Sequence, residues 1–361
     1  MSLLNSLRAN ARASRLLYQR LRDRGHSRWD VLLRRLPQAA ALRAYRKLAY
    51  AINDNILQRW ITPARFRRFL ARQQPKLDGC FYVIVMPQTL HFLLPCLRLV
   101  PKDVRVVLLL NGAHGWEADL LRERFSRYPQ FRVVALPNSS VGHGAMINLL
   151  LRNSAHDFGI LDHDLYLFDS RIFGQLQFDA GDFLVSLFND VSEDGRWVYP
   201  LTHFLYFRIE VFRRLMKEYG IGAQAYRQVP ERVLSRLESL GLRKGETMKS
   251  YHKFYDTLHV LLALAYAEGL SVAQIEPEIP DSAYHIGGTS IGTHHTKDLI
   301  HLYTHLKFLE LSTEPLLQRR YASIAAPFAS SAEVHAKLEG KAHDFHQIQL
   351  VDRLVKKLWR S

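Results

Sequence analysis

Phe158-Gly159-Ile160-Leu161-Asp162-His163-Asp164-Leu165-Tyr166-Leu167-Phe168-Asp169 is the stretch whose reading decides the fold. A short apolar run that can be buried on both faces as a strand ends abruptly in Asp-His-Asp. In α/β sheets, ligands bind at the carboxyl ends of strands. On an extended backbone Asp162 and Asp164 project to the same side. Two carboxylates placed that way repel unless a cation lies between them. Mn2+ or Mg2+ suits such a place, because hard divalent ions take oxygen ligands and leave positions for phosphates. The plainer reading is a loop of solvated acids after a strand, and Asp169 fits the cap of a following helix.

Outward from this point, strands alternate with helices. Phe81–Met86, Val104–Leu110 and Phe131–Leu136 read as buried strands. Leu90–Val100 (with Pro95 inside), Gly115–Arg127 and Gly144–Arg152 read as the intervening helices. That alternation argues for a parallel α/β sheet. Downstream, Trp197–Arg208 reads as a further strand pair. Asp256 stands at the start of the apolar helix Leu258–Ala267, where it is a natural N-cap. From Thr296 onward the spacing predicts helices over Leu299–Leu309, Glu314–Ile324 and Leu350–Leu358.

The strand, the Asp-x-Asp and the upstream helix Gly142-His143-Gly144-Ala145-Met146-Ile147-Asn148 together resemble the GT-A fold of nucleotide-sugar glycosyltransferases. The resemblance runs from Gly79 to Thr293 and is closest to the large inverting group that includes bacterial polysaccharide enzymes. It implies a Rossmann-like mixed sheet flanked by helices, here with a basic N-terminal helical segment and C-terminal helices added. It also implies a metal-dependent transfer of a sugar from a nucleotide-sugar donor to a saccharide or lipid-linked acceptor. In this reading Asp164 contacts the metal directly, and Asp162 reaches the ribose or the metal through water. Asn111, Gly144 and Asn148 lie on the donor side, with Asn148 preceding Asp162 by 14 residues. Inverting relatives place their general base at the opening of a helix, and Asp256 lies 94 residues after Asp162. Some relatives add a late histidine to the metal, and His285 is the best placed of His285, His294 and His295. In the Gly-rich run after it, Thr289 and Ser290 can donate hydrogen bonds to phosphate. His203 has two open readings, a substrate contact or a satisfied half-buried histidine.

The chain has 361 residues and a formal net charge of +15. Residues 1–75 hold 17 basic residues against three acids, so +14 lies there and +1 in all the rest. The expected division is therefore a basic helical arm (1–75), a catalytic domain (76–295) and a helical extension (296–361). Such asymmetry calls for an anionic partner. We expect an anionic membrane surface contacted through residues 1–75, with the protein cytoplasmic and peripheral on the inner face of the membrane. No run of about 18 apolar residues is present to span a bilayer. The Arg-rich start is similar to a mitochondrial presequence, but the basic composition continues past the length of one. Only Cys80 and Cys96 are present, which excludes a disulfide framework.

Two alternatives belong to other classes. A haloacid-dehalogenase-type phosphohydrolase also has an Asp-x-Asp after a buried strand, with Asp162 as nucleophile. That motif opens its domain, whereas three strands precede it here. A nucleic-acid-binding protein would use the Arg and aromatic residues of the arm on phosphates. No recognisable nucleic-acid motif accompanies them, so nucleic acid is not the expected partner.

Overall fold

The computed structural model describes residues 61–73, 77–137, 140–191, 198–226, 228–239, 255–289, 298–338 and 342–359, with positions 17–19, 21, 28, 31–38, 40, 41, 44, 57, 59 and 60. Most of the expected arm, together with Ser290, His294 and His295, lies outside them. The chain divides into two compact units. The larger comprises Asn53–Pro87 and Cys96–His285, and the smaller Met1–Ile52, Gln88–Pro95 and Ile286–Ser361.

In chain order the elements that build the larger unit are α1 (Thr62–Gln73), β1 (Phe81–Val85), α2 (Leu90–Arg98, shared with the smaller unit), β2 (Val106–Leu110), α3 (Gly115–Phe125), β3 (Phe131–Ala135), α4 (His143–Asn153), β4 (Phe158–Leu161) and β5 (Leu165–Leu167). They continue with β6 (Asp182–Ser186), β7 (Asn189–Val191), β8 (Val198–Pro200), β9 (Phe204–Phe207), α5 (Ile209–Tyr219), α6 (Glu231–Ser239), α7 (His259–Ala267), β10 (Ser271–Gln274) and β11 (Ala283–His285). The main sheet has seven strands in the order β10-β6-β9-β4-β1-β2-β3. β1 pairs in parallel with β2 and β4, β2 with β3, and β6 with β10, while β9 runs against both β4 and β6. This is the mixed α/β sheet that the sequence implies. One expectation changes: β8 and β9 are not partners. β8 pairs with β7 in a separate ribbon, and β9 enters the main sheet.

β1, β2 and β4 are buried along their whole length, as parallel strands covered on both faces must be. The core extends to the N-terminal side of residue 76: Phe66 and Leu70 of α1 are buried in the same cluster as Tyr82, Val107 and Leu150. Gly159 has a steric task in β4. It sits opposite Phe81 across the ladder, and a Cβ there would come to 2.1 Å from a carbon of the Phe81 ring. That ring in turn packs on Phe173 and Phe204 with centroids 5.2 Å away in each case.

The smaller unit contains α8 (Leu299–Glu310), α9 (Pro315–Tyr321), α10 (Ser331–Leu338) and α11 (Ala342–Leu358). Glu310 accepts from the Ser331 amide at 2.5 Å and its hydroxyl at 2.6 Å, tying α10 to α8. His305 is fully buried, and burial pushes it down to about 4. Among the described residues before Ile52, Leu17, Leu21 and Val31 are buried together. No helix among the described residues is long and apolar enough to cross a membrane.

Gly159→Ala forces the Phe81 ring out of its place in the sheet. We expect a loss of about 1–3 kcal/mol, read as a lower urea midpoint.

Candidate functional site

The carboxyl end of β4 is where the chemistry gathers. After Leu161 the backbone delivers Asp162, turns through His163, and places Asp164 immediately before β5. Asp164 is almost fully buried. Two neighbouring strands bring histidines to these acids. β11 pairs antiparallel with β5, with His285 opposite Leu165. That register sets His285 Nε2 3.3 Å from Asp164 Oδ1 and 3.6 Å from Asp162 Oδ2. β9 pairs antiparallel with β4, with Phe204 opposite Leu161, so His203 falls beside Asp162. The Asp162 amide donates to the His203 carbonyl at 2.9 Å, and His203 Nδ1 lies 3.1 Å from Asp162 Oδ2. The two imidazole rings stack with centroids 3.4 Å apart.

The electrostatics follow from this crowding. Burial alone would push His285 down. The hydrogen bond and charge of Asp164, together with the charge of Asp162, outweigh burial and hold His285 above the ordinary histidine range. His143 opens α4 behind the Gly142 cap. Its Nε2 is 4.0 Å from Asp162 Oδ1 and is buried without a hydrogen-bond partner. Burial lowers its pKa, against the pull of Asp162 and Asp256. Cys96 donates its thiol to the Asp162 carbonyl at 3.7 Å, and burial pushes that thiol well above its usual range. Both cysteines are free.

Ligand atoms of Asp162, His203 and His285 lie within 4.8 Å of one another. A donor set of carboxylate and imidazole, with the orphaned His143 nitrogen beside it, fits a divalent transition ion such as Mn2+. Of the expected metal set, the structure brings Asp162, Asp164 and His285 together and adds His203. Asp169 takes the capping role: it accepts from the Arg171 amide at 3.1 Å, and the Arg171 side chain holds it below the usual carboxylate range.

The opening of α7 differs from expectation. The helix starts at His259, and the residue preceding it is Leu258, with φ +68°. Asp256 does not cap it with its side chain. Its Oδ1 accepts from the Thr257 amide at 2.8 Å, and its own amide donates to His259 Nδ1 at 3.2 Å.

Residues 58–212 match the family model of the StrH glycosyltransferase N-terminal domain. This segment is a glycosyltransferase domain. Its sheet, with β9 alone opposed to the rest, has the GT-A arrangement that the sequence resembles. A comparison with curated proteins finds no match. Among solved structures, mannosyltransferase PcManGT from Pyrobaculum calidifontis, in complex with GDP-Man and Mn2+, is 16% identical, covering 81% of this chain and 88% of its own, with a TM-score of 0.37. Galactosyltransferase LgtC, in complex with donor and acceptor sugar analogs, is 12% identical over 58% of this chain and 88% of its own, with a TM-score of 0.36. S. aureus TarS 1–349 in complex with UDP-GlcNAc is 13% identical over 77% and 83%, with a TM-score of 0.30. These likenesses are distant. Asp256 and His285 lie beyond the matched segment.

The expected donor-side residues also make structural contacts within the larger unit. Asn111 is fully buried. Its amide clamps the backbone of Val141, donating to the carbonyl at 2.9 Å and accepting from the N–H at 3.1 Å. Asn148 accepts from the Ala223 amide at 2.7 Å and donates to Gln224 Oε1 at 2.5 Å. Gly144 lets this same segment approach, since a Cβ there would lie 2.6 Å from Gln224 Cα and 2.7 Å from the Ala223 carbonyl. The Ala223 carbonyl in turn accepts from the Leu258 amide at 2.8 Å. A continuous relay thus runs from α4 through Ala223 to the turn that carries Asp256. Thr289 belongs to the smaller unit, where it is buried beside Gly288, whose φ is +64°. Ser290 is not among the described residues. Sequence reasoning gave His143 no role and left His203 open. The signals were a histidine between two glycines at a helix start and a histidine opening a strand.

Asn148→Ala leaves the buried Ala223 amide without its acceptor. We expect destabilisation of about 1–3 kcal/mol in the absence of any ligand, measured by denaturant unfolding.

Proposed function

We propose that the protein is a metal-dependent, inverting glycosyltransferase that moves a sugar from a nucleotide-sugar donor to a saccharide or lipid-linked acceptor. The observation that carries this reading is the convergence of Asp162, Asp164, His203 and His285 at the end of β4, in a glycosyltransferase domain. Breaking the sugar–phosphate bond leaves a nucleoside diphosphate, and a bound Mn2+ or Mg2+ supplies the positive charge that stabilises it. Asp162, Asp164, His203 and His285 would hold that ion.

Inversion needs one base opposite the leaving group to take the proton of the acceptor hydroxyl. Asp256 is our choice. It follows Tyr255, whose backbone bridges Tyr226 in both directions at 2.8 and 2.9 Å, and the relay through Ala223 fixes the other side of its turn. A turn held on both sides keeps a carboxylate in place without a metal or a cap. Membrane association is part of the same proposal: the basic segment within residues 1–75 holds the enzyme on an anionic cytoplasmic membrane face. No observation on the described residues favours the phosphohydrolase.

Two measurements test the reading. Mn2+ with a nucleotide sugar should raise the melting temperature of the wild type, because ligands that bind only the folded state stabilise it by mass action. Asp164→Asn should abolish that shift, and an unchanged shift would remove the metal assignment. Asp256→Asn should keep the donor-induced shift yet lower kcat by roughly 100-fold or more. Product anomers followed by NMR should show inverted configuration, and retention would exclude Asp256 as the base.

A further inference from the structure

The exposed face of α1 has no part in the site. Thr62, Phe66 and Leu70 bury one side of the helix, while Arg65, Arg68 and Arg72 stand exposed on the other. Just before the helix, Trp60 is 65% and Ile61 46% exposed. The Arg59 guanidinium lies 5.5 Å from the centroid of the Trp60 ring. Between α1 and the outermost strand β3 runs a groove of about 730 Å³. Trp60, Ile61 and Phe69 give it an apolar wall, and the three arginines a basic rim. From residue 55 to residue 77 the chain contains no acid.

We propose that this face docks the protein on an anionic phospholipid bilayer, with lipid phosphates at Arg65, Arg68 and Arg72 and with Trp60 and Ile61 at the headgroup boundary. Charge complementarity selects the partner: a basic rim with no acid in its sequence neighbourhood meets a surface of phosphates. The apolar face of α1 is occupied by the core, so the contact expected is electrostatic, with about 1 kcal/mol for each arginine near an anionic surface, aided by Trp60 and Ile61 beside the helix. Trp suits that depth, with an apolar body and a polar N–H. A nucleic acid would also meet the arginines, but it gives Ile61 and the apolar wall nothing to bury against. Single strands are gripped by stacked aromatic platforms, and Trp60 is the one exposed aromatic of this groove.

The inference rests on the membrane association proposed above. It places that association on a helix anchored in the domain core, rather than on the segment before residue 53. Cosedimentation of the full chain with mixed phosphatidylglycerol/phosphatidylcholine vesicles, with pure phosphatidylcholine vesicles and with single-stranded DNA tests it. The wild type should bind the anionic vesicles and not the neutral ones. An Arg65→Gln, Arg68→Gln, Arg72→Gln variant should bind them at least about tenfold more weakly. A Trp60→Ser, Ile61→Ser variant, which keeps every charge, should also bind more weakly. All of the substituted residues are exposed, and both variants should melt with the wild type.

Wild-type binding that neither variant weakens overturns the placement on α1 but leaves the membrane reading standing. A wild type that ignores anionic vesicles overturns both. Preference of the wild type for DNA over vesicles, lost in the arginine variant, assigns the face to nucleic acid and overturns the proposal. None of these outcomes bears on the Mn2+-dependent melting shift, which tests the catalytic reading separately.

Discussion

Asp162 and Asp164 stand two residues apart at the end of a strand that is buried along its whole length. Asp164 itself is almost inaccessible to solvent. Like charges held this close are costly unless something positive answers them. In the protein, His285 lies 3.3 Å from Asp164 and 3.6 Å from Asp162, and His203 lies 3.1 Å from Asp162. The sheet exists in a form that supplies those partners. β9 runs antiparallel beside β4 and presents His203. The β5–β11 ribbon returns from more than 100 residues away and presents His285 in register. The histidines meet the acids because strand pairing leaves them no other place.

A second line of contacts sets the distance between this cluster and Asp256. Asn148 on α4 holds Ala223, Ala223 holds Leu258, and the turn from Asp256 to Leu258 follows. The near contact of Gly144 with the same segment requires that it have no side chain. The helix that opens with His143 beside the carboxylates therefore also fixes, three contacts later, the residue proposed as base. A stiff route between the proposed metal site and the proposed base would suit a reaction in which the acceptor must approach opposite the leaving group. It also gives Gly144 and Asn148 a structural reason to occupy these helix positions.

Much of this was legible in the sequence. The strand ending in Asp-His-Asp and the alternation before it stand in the sheet as read, and the late His285 lies beside Asp162 and Asp164. What periodicity does not encode is pairing between distant segments. The partner of β4 on its far side is β9, and nothing in Pro200–Arg208 states that its neighbour is Leu161. For the same reason the strand expected to pair with Val198–Pro200 turned out to be β7. Asn111 and Asn148 show the opposite limit. Their residue type and spacing match a donor-side motif, and neither signal tells that they also bond backbone groups about 30 and 75 residues away. The charge excess of the first 75 residues suggests one continuous arm, whereas Phe66 and Leu70 belong to the core. A helix can carry four arginines outward and still be structural inward.

The central claim is that the carboxylates and imidazoles at the end of β4 form one cation site. Pulsed electron paramagnetic resonance of Mn2+ added to the protein tests it most directly, since nitrogen nuclei of coordinating imidazoles modulate the signal of the ion. The account predicts bound Mn2+ with imidazole nitrogen couplings that weaken in His203→Gln and His285→Gln and vanish in the double variant. Mn2+ that stays free in solution, or that binds with the same couplings in all four proteins, would contradict it.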